Sequence, residues 1–380
     1  MSKRVLVSSV LIIILGLLAV SFMALLRWQK SLEEKRISTY ALGKSLYEEK
    51  KYPEAINQFK KVIEHYPQSE EARDASYRIA LSFVGLESYK KAEDYFQKFL
   101  KDFPESNYAD KVYYQLGWLE EKQGNSDKAL QFYQKVLTDF SSKEMSAKAI
   151  LGQGRIRAAK GEWKLAREAF QKVMDDFPES SSFLQARKAL GNLNIKLIFS
   201  SAITDKKDSL AYKVEDGDSL YTIAKKFKTT IALLKKSNGL KSSVIRPGKT
   251  LKVTPGNFRI VVSKPEFTLS LYLNDRLIKV YSVGIGIEDY YTPTGEFKII
   301  NKLIDPDWYA PDGVYPYGDP KNVLGTRWMG ISSPGYGIHG TTQPETVGKK
   351  SSQGCIRMFN KDVEELYDLV PPGTPVIIKE

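Results

Sequence analysis

The stretch "SSQGCIRM", residues 351–358, carries the only cysteine of a 380-residue chain. A solitary cysteine ordinarily behaves as a small buried hydrophobe. Its surroundings point elsewhere. Gly354 leaves the backbone N–H groups of Gln353, Gly354 and Cys355 accessible, a set able to cradle an oxyanion. Arg357 follows two positions later. On a strand it shares the face of Cys355, where a guanidinium can hold a substrate carboxylate through two parallel N–H donors. His339 lies sixteen residues upstream of Cys355, between glycines in a segment that has to turn. An active thiol needs a base or a cationic imidazole beside it to hold it as thiolate, and the only other histidine is His65. Cys355 and His339 are therefore candidates for a nucleophile and its base. His65, beside Tyr66, reads as a structural or surface residue.

Outward from this site the pattern is β. "FRIVVSKPEFTLSLYLNDRLIKVYSVGIG", from Phe258, alternates β-branched and aromatic residues with polar ones, broken at Lys264-Pro265 and Asn274-Asp275. "TPTGEFKI" adds a turn and strand, and "TPVIIKE" closes the chain. One helix is expected over 361–369. Short strands with a single helix indicate a β-rich domain over 257–379 rather than a parallel α/β sheet.

Composition bounds the rest. One cysteine excludes an internal disulfide framework and a cysteine-based metal site. Two histidines argue against a zinc site, and no metal or cofactor is expected. The net charge of +12 is uneven: residues 211–255 hold ten Lys/Arg against three Asp/Glu, whereas 256–380 hold 13 against 15. Such a patch is compatible with nucleic acid, but the N-terminus argues against that partner. Val5 to Leu26 is a run of 22 residues without charge. As a helix it spans ~33 Å, enough for a bilayer core of ~30 Å. Lys3 and Arg4 precede it, which favours a cytoplasmic N-terminus. An uncleaved membrane anchor over 1–30 is expected, with a cleaved signal peptide as the alternative. Either way the remainder lies outside the cytoplasm.

Residues 37–199 repeat. Aromatics at Tyr66, Phe103, Phe140 and Phe177 recur every 37 residues, as do Ala55, Ala92, Ala129 and Ala166. Phe59, Phe96, Tyr133 and Phe170 keep the same register, as do Gly43, Ala80, Gly117 and Gly154. Ala55 and Phe59 share one helical face. The segment resembles the tetratricopeptide repeat, whose units are helix pairs, with a longer turn than usual and 183–198 as a capping helix. The resemblance implies an all-α solenoid with a concave surface for a protein partner; a rigid spacer is the alternative.

A polar linker is expected over 200–210. Residues 211–255 then read as a β-α-α-β unit, with Ser219 and Thr230 as helix caps and Asn238-Gly239 closing the second helix. "GDSLYTIAKKF", Asn238 and "IRPGKTLKV" make the unit resemble a LysM module. That family binds N-acetylglucosamine-containing glycans, and the likeness implies a groove lined by Gly217, Asp218, Ser219 and Leu220. The basic charge adds attraction to anionic wall polymers.

In the C-terminal domain "SVGIG", "TPTGEFKI", "PDWYAP", "GIHGT" and "SSQGCIRM" stand in that order. This resembles the L,D-transpeptidase catalytic domain of the YkuD type. The likeness implies a mostly β sandwich-like domain acting on peptidoglycan stem peptides through a thioester on Cys355. Ser352, Gly340 and Arg357 would contact substrate. Many members carry a histidine where this chain has Gln353. That departure leaves the third member of a triad open, with a backbone carbonyl near Gly340 expected to orient His339. Papain-like peptidases place Cys before His, and sortases separate His from Cys much further. The alternatives within this reading are an L,D-carboxypeptidase, an enzyme attaching protein to peptidoglycan, or a non-catalytic wall-binding scaffold.

Overall fold

A computed structural model describes residues 3–203, 208–288, 291–310 and 312–380, with side chains from residue 20 onward. The chain forms two compact units, Met1–Gly152 and Gln153–Glu380.

The first unit is helical. It comprises α1 (Lys3–Glu48), α2 (Tyr52–His65), α3 (Glu70–Gly85), α4 (Tyr89–Asp102), α5 (Ala109–Lys122), α6 (Ser126–Asp139) and most of α7 (Lys143–Ala159). The register of small residues and aromatics has a packing reason. An ideal Cβ at Gly43 would lie 2.7 Å from the Phe59 ring, and one at Gly117 would lie 2.8 Å from Tyr133. At these two positions the missing side chain lets the aromatic seat against the preceding helix; Ala80, the smallest residue with a side chain, holds the same register opposite Phe96. Ala55, Phe59, Val62, Ala75 and Ile79 are fully or almost fully buried in the first helical layers. The Asp74 carboxylate accepts from Tyr40 and Tyr108 hydroxyls on either side, and pairs with Arg78. The anchor expected within Val5–Leu26 falls largely on residues 5–19, whose side chains lie outside the described residues. No helix among the described residues is long and apolar enough to cross a membrane.

The second unit continues with α8 (Trp163–Asp176) and α9 (Phe183–Phe199). The small module follows: β1 (Leu210–Lys213), α10 (Leu220–Lys226), α11 (Ile231–Ser237) and β2 (Thr250–Val253). β1 and β2 pair antiparallel, with Leu210 opposite Val253. The extended run thus starts at Leu210, inside the segment expected to be linker; residues 204–207 of that segment lie outside the described residues. Ser219 and Thr222 form a capping box, and Thr230 caps α11. Asn238 serves as a surrogate strand. Its Oδ1 accepts from the Lys252 N–H at 2.7 Å and its Nδ2 donates to the Lys252 carbonyl at 2.8 Å.

The remainder is mostly β: β3 (Phe258–Ser263), β4 (Thr268–Leu273), β5 (Arg276–Ser282), β6 (Ile285–Gly286), β7 (Gly295–Ile304), β8 (Trp308–Ala310), β9 (Gly313–Tyr315), β10 (Arg327–Ile331), β11 (Gly337–His339), β12 (Lys350–Ser352), β13 (Ile356–Arg357), α12 (Asn360–Leu369) and β14 (Pro375–Lys379). Eight strands form one sheet in the order β13-β11-β10-β7-β14-β3-β4-β5. β3 and β4 alternate inward and outward along their length, as period-two patterning requires.

The helix expected only to cap the repeats does more. Ile195 and Ile198 of α9, and Leu233 of α11, belong to the same buried cluster as the sheet. Asn194 Nδ2 donates to the Ile278 carbonyl at 3.1 Å. The Lys252 ammonium donates to the Leu197 and Ser200 carbonyls at 2.7 and 2.8 Å, satisfying orphan acceptors at the α9 C-terminus. Burial lowers its pKa to about 8. Thr230 donates to the Asp368 carbonyl, and Lys236 pairs with the Asp368 carboxylate at 2.5 Å. The small module is therefore packed into the unit that holds the sheet.

Candidate active site

β11 and β13 run parallel, with Ile338 opposite Ile356 and His339 opposite Arg357. Cys355 immediately precedes β13. Side chains two apart on a strand share a face. This register therefore brings together, from segments distant in the chain, the thiol, the imidazole and the guanidinium read from the sequence. All three line one cleft of about 810 Å³ with Trp328, Tyr336 and Gln343.

The thiol is partly exposed, and its Sγ donates to the Gly335 carbonyl at 3.7 Å. Burial pushes its pKa up, against the Gly337 N–H and the Arg357 charge. Both features favour the thiol over the held thiolate expected from the sequence.

His339 is 2 % exposed. Burial lowers its pKa to about 4; the Gly340 and Leu324 carbonyls oppose that shift and Arg357 adds to it. Its Nδ1 lies 2.5 Å from the Gly340 carbonyl. A carbonyl only accepts, so this contact favours the neutral tautomer with the proton on Nδ1 and the lone pair on Nε2. The Trp328 indole stacks on the imidazole with centroids 5.8 Å apart.

The loop before the cysteine is braced from both sides. Ser352 Oγ accepts from the Gly354 N–H at 3.1 Å and donates to the Cys355 carbonyl at 2.6 Å. Thr292 Oγ1 accepts from the Gly286 N–H at 2.8 Å and donates to the Gly354 carbonyl at 2.9 Å. Gly354 has φ +121°, and a Cβ there would lie 2.5 Å from both the Tyr291 carbonyl oxygen and the Tyr336 ring. No other residue fits that position without moving backbone.

These contacts revise several roles. Ser352 is buried, and its hydroxyl is committed to the loop rather than open to substrate. The Gly354 N–H is likewise taken by Ser352 and is not a free oxyanion donor in this state. Gln353 is exposed at the cleft. Arg357 Nη1 donates to Gln343 Oε1 at 3.2 Å, while its buried Nε has no hydrogen-bond partner. Gly340 contributes its carbonyl, to His339. In the small module Gly217 and Ser219 are exposed. Asp218 accepts from Tyr212 and from the Glu215 N–H. The Leu220 side chain is core, 2 % exposed, and not open to a ligand. Sequence reasoning passed over Thr292, Trp328 and Asn360. Thr292 opens the "TPTGEFKI" stretch; the other two carry no local signal.

Residues 257–378 match the L,D-transpeptidase catalytic domain family, 212–254 match the LysM domain, and 33–197 match the YfiO outer membrane lipoprotein family. The chain is 40 % identical over 177 residues to the Bacillus licheniformis protein that bears the L,D-transpeptidase name YkuD, covering 44 % of this chain and 98 % of that relative. The Bacillus subtilis YkuD is 40 % identical over 176 residues, with the same coverages. Bacillus subtilis YqjB is 40 % identical over 131 residues, 33 % of this chain and 73 % of that protein.

Proposed function

Because this chain belongs to the L,D-transpeptidase family, we propose that it is a peptidoglycan L,D-transpeptidase whose nucleophile is Cys355 and whose base is His339. The observation that carries this is the register of β11 and β13, which puts the thiol and the imidazole in one cleft. The donor is a stem tetrapeptide. Cys355 Sγ attacks the carbonyl that joins the L-configured centre of the third residue to the terminal D-alanine. The neutral His339 takes the thiol proton through Nε2 as the C–S bond forms. It returns that proton to the departing D-alanine amine as the C–N bond breaks, leaving a thioester. An acceptor amine then attacks, the C–S bond breaks, and the amine's proton returns to sulfur through His339. The neutral resting pair supports this order of events, with proton transfer coupled to attack.

Arg357 is proposed to bind a donor carboxylate; its unpartnered Nε supports that role. Of the backbone donors read from the sequence, the Gln353 and Cys355 N–H groups are the ones proposed to stabilise the oxyanion. The LysM module is proposed to hold glycan strands through the exposed turn at Gly217 and Ser219. The repeats are proposed to hold a protein partner, and residues 1–30 to anchor an extracytoplasmic enzyme. Incubation of the chain with tetrapeptide muropeptides, followed by mass spectrometry, tests the reading. Release of D-alanine with dimer formation supports it. Release without a dimer makes water the acceptor, and no release at all refutes it.

A further inference from the structure

The Gly340–Thr341 peptide has two ends, and each is held by a different side chain. Its carbonyl lies 2.5 Å from His339 Nδ1. Its N–H, that of Thr341, donates to Asn360 Oδ1 at 3.1 Å. A trans peptide is planar, so its C=O and N–H point in opposite directions and cannot be aimed independently. Whatever fixes the N–H therefore fixes the direction of the carbonyl.

Asn360 Oδ1 is itself held in place. It accepts a second N–H, from Thr326, at 3.2 Å. The chain on that side is tied back to the same turn, because the Gly340 N–H donates to the Arg327 carbonyl at 3.0 Å. A Cβ at either Gly325 or Gly340 would fall on Asn360 Oδ1, so the two glycines are what admit the side chain. Asn360 opens α12, whose core residues Val363, Leu366 and Leu369 are fully buried against the sheet. The oxygen is carried on a rigid element.

We propose that Asn360 is a positioning residue: it holds the Thr341 N–H, sets the plane of the Gly340–Thr341 peptide, and thereby keeps His339 in the Nδ1–H tautomer with Nε2 free as base. The inference deepens the assignment of His339 as base and rests on it for its catalytic consequence. The tautomer itself is a separate property of the folded chain. Without the Asn360 oxygen the peptide can rotate, the Nδ1–H loses its acceptor, and the ring divides between two neutral tautomers. Only one of these has the lone pair on Nε2, the nitrogen proposed as base.

The chain has two histidines, so full-length protein labelled with 15N at histidine alone gives two imidazole patterns. His65, exposed on α2, is an internal reference. The wild type should show one histidine locked as Nδ1–H. Asn360→Ala should turn that pattern into a tautomer mixture, with His65 unchanged. Asn360→Asp retains an oxygen that accepts both N–H groups and should keep the lock. In muropeptide turnover Asn360→Ala should lower kcat roughly 10- to 100-fold with little change in KM, while Asn360→Asp stays within about threefold. An Asn360→Ala protein that keeps the single tautomer overturns the proposal. The tautomer measurement needs no turnover, so a wild type that is inactive on muropeptides sinks the functional reading while this measurement still decides the role of Asn360. Should the alanine variant not fold, amide exchange on the wild type decides. A protected Thr341 N–H supports the contact, and free exchange there overturns it.

Discussion

Cys355 and Gly335 are joined by a hydrogen bond from the thiol to the carbonyl, at 3.7 Å. The sulfur's proton is thus parked on backbone rather than shared with His339. In the proposed mechanism catalysis then starts from two neutral groups, and the thiol has to turn from Gly335 before His339 can take its proton.

That relationship sets the first expectation. Burial holds the Cys355 thiol above the ordinary cysteine range. The rate of alkylation by iodoacetamide should stay low near neutrality and rise with pH through a midpoint above ~8.5, the value for a free cysteine. Cys355→Ala should take no label at all, because the chain has no second thiol. A midpoint near 6 would indicate a preformed thiolate and overturn the neutral-pair account.

The second concerns acid. His339 has its pKa lowered to about 4 by burial, against ~6.5 in an unfolded chain. The folded state therefore binds fewer protons between these values. The stability from keeping the ring neutral is fully present above ~6.5 and falls as pH drops toward 4. The loss by pH 4.5 should be roughly 2–3 kcal/mol from this group. Denaturant unfolding at pH 7.5 and 4.5 measures it. His339→Gln should show a smaller difference than wild type, and His65→Gln should show the same difference.

Ser352 gives the third. Its hydroxyl bridges the Gly354 N–H and the Cys355 carbonyl inside the protein. Ser352→Ala leaves both buried groups unpaired and should cost about 1–3 kcal/mol. Thermal unfolding reads the loss. Reactivity toward muropeptides should fall with it, since the loop that aims the sulfur is loosened. An unchanged melting temperature would show that the bridge carries no load.

The fourth follows from the packing of α9 and α11 into the sheet's buried cluster. Leu233→Ala should destabilise the whole second unit by about 2–5 kcal/mol. Deleting 211–255 should lower its melting temperature rather than leave an intact enzyme without its glycan module. Scanning calorimetry distinguishes the two. A separate low-temperature transition for the small module would contradict the shared core.

Much of this was legible in the residues. Gly43 and Phe59 keep the 37-residue register because ring and glycine touch in the helical repeats. Phe258, Ile260 and Val262 alternate because one face of β3 is core. Cys355 and His339 stood out as the only thiol and one of two imidazoles. What escaped reading depends on partners far along the chain. Thr292 meets Gly354 across 62 residues, and Asn360 meets Thr341 across 19. Neither contact leaves a spacing pattern. Ser352 and Leu220 lie in recognisable stretches, yet they serve the loop and the core instead of a ligand. Adjacency to a site does not tell which way a side chain points.

The most direct test of the central claim traps the acyl-enzyme. Full-length protein is incubated with a carbapenem, and the adduct is located by intact-mass measurement and peptide mapping. The account predicts a single acyl increment on the peptide containing Cys355, lost in Cys355→Ala and formed much more slowly in His339→Ala. An increment that persists in Cys355→Ala, or maps to any other residue, would contradict it.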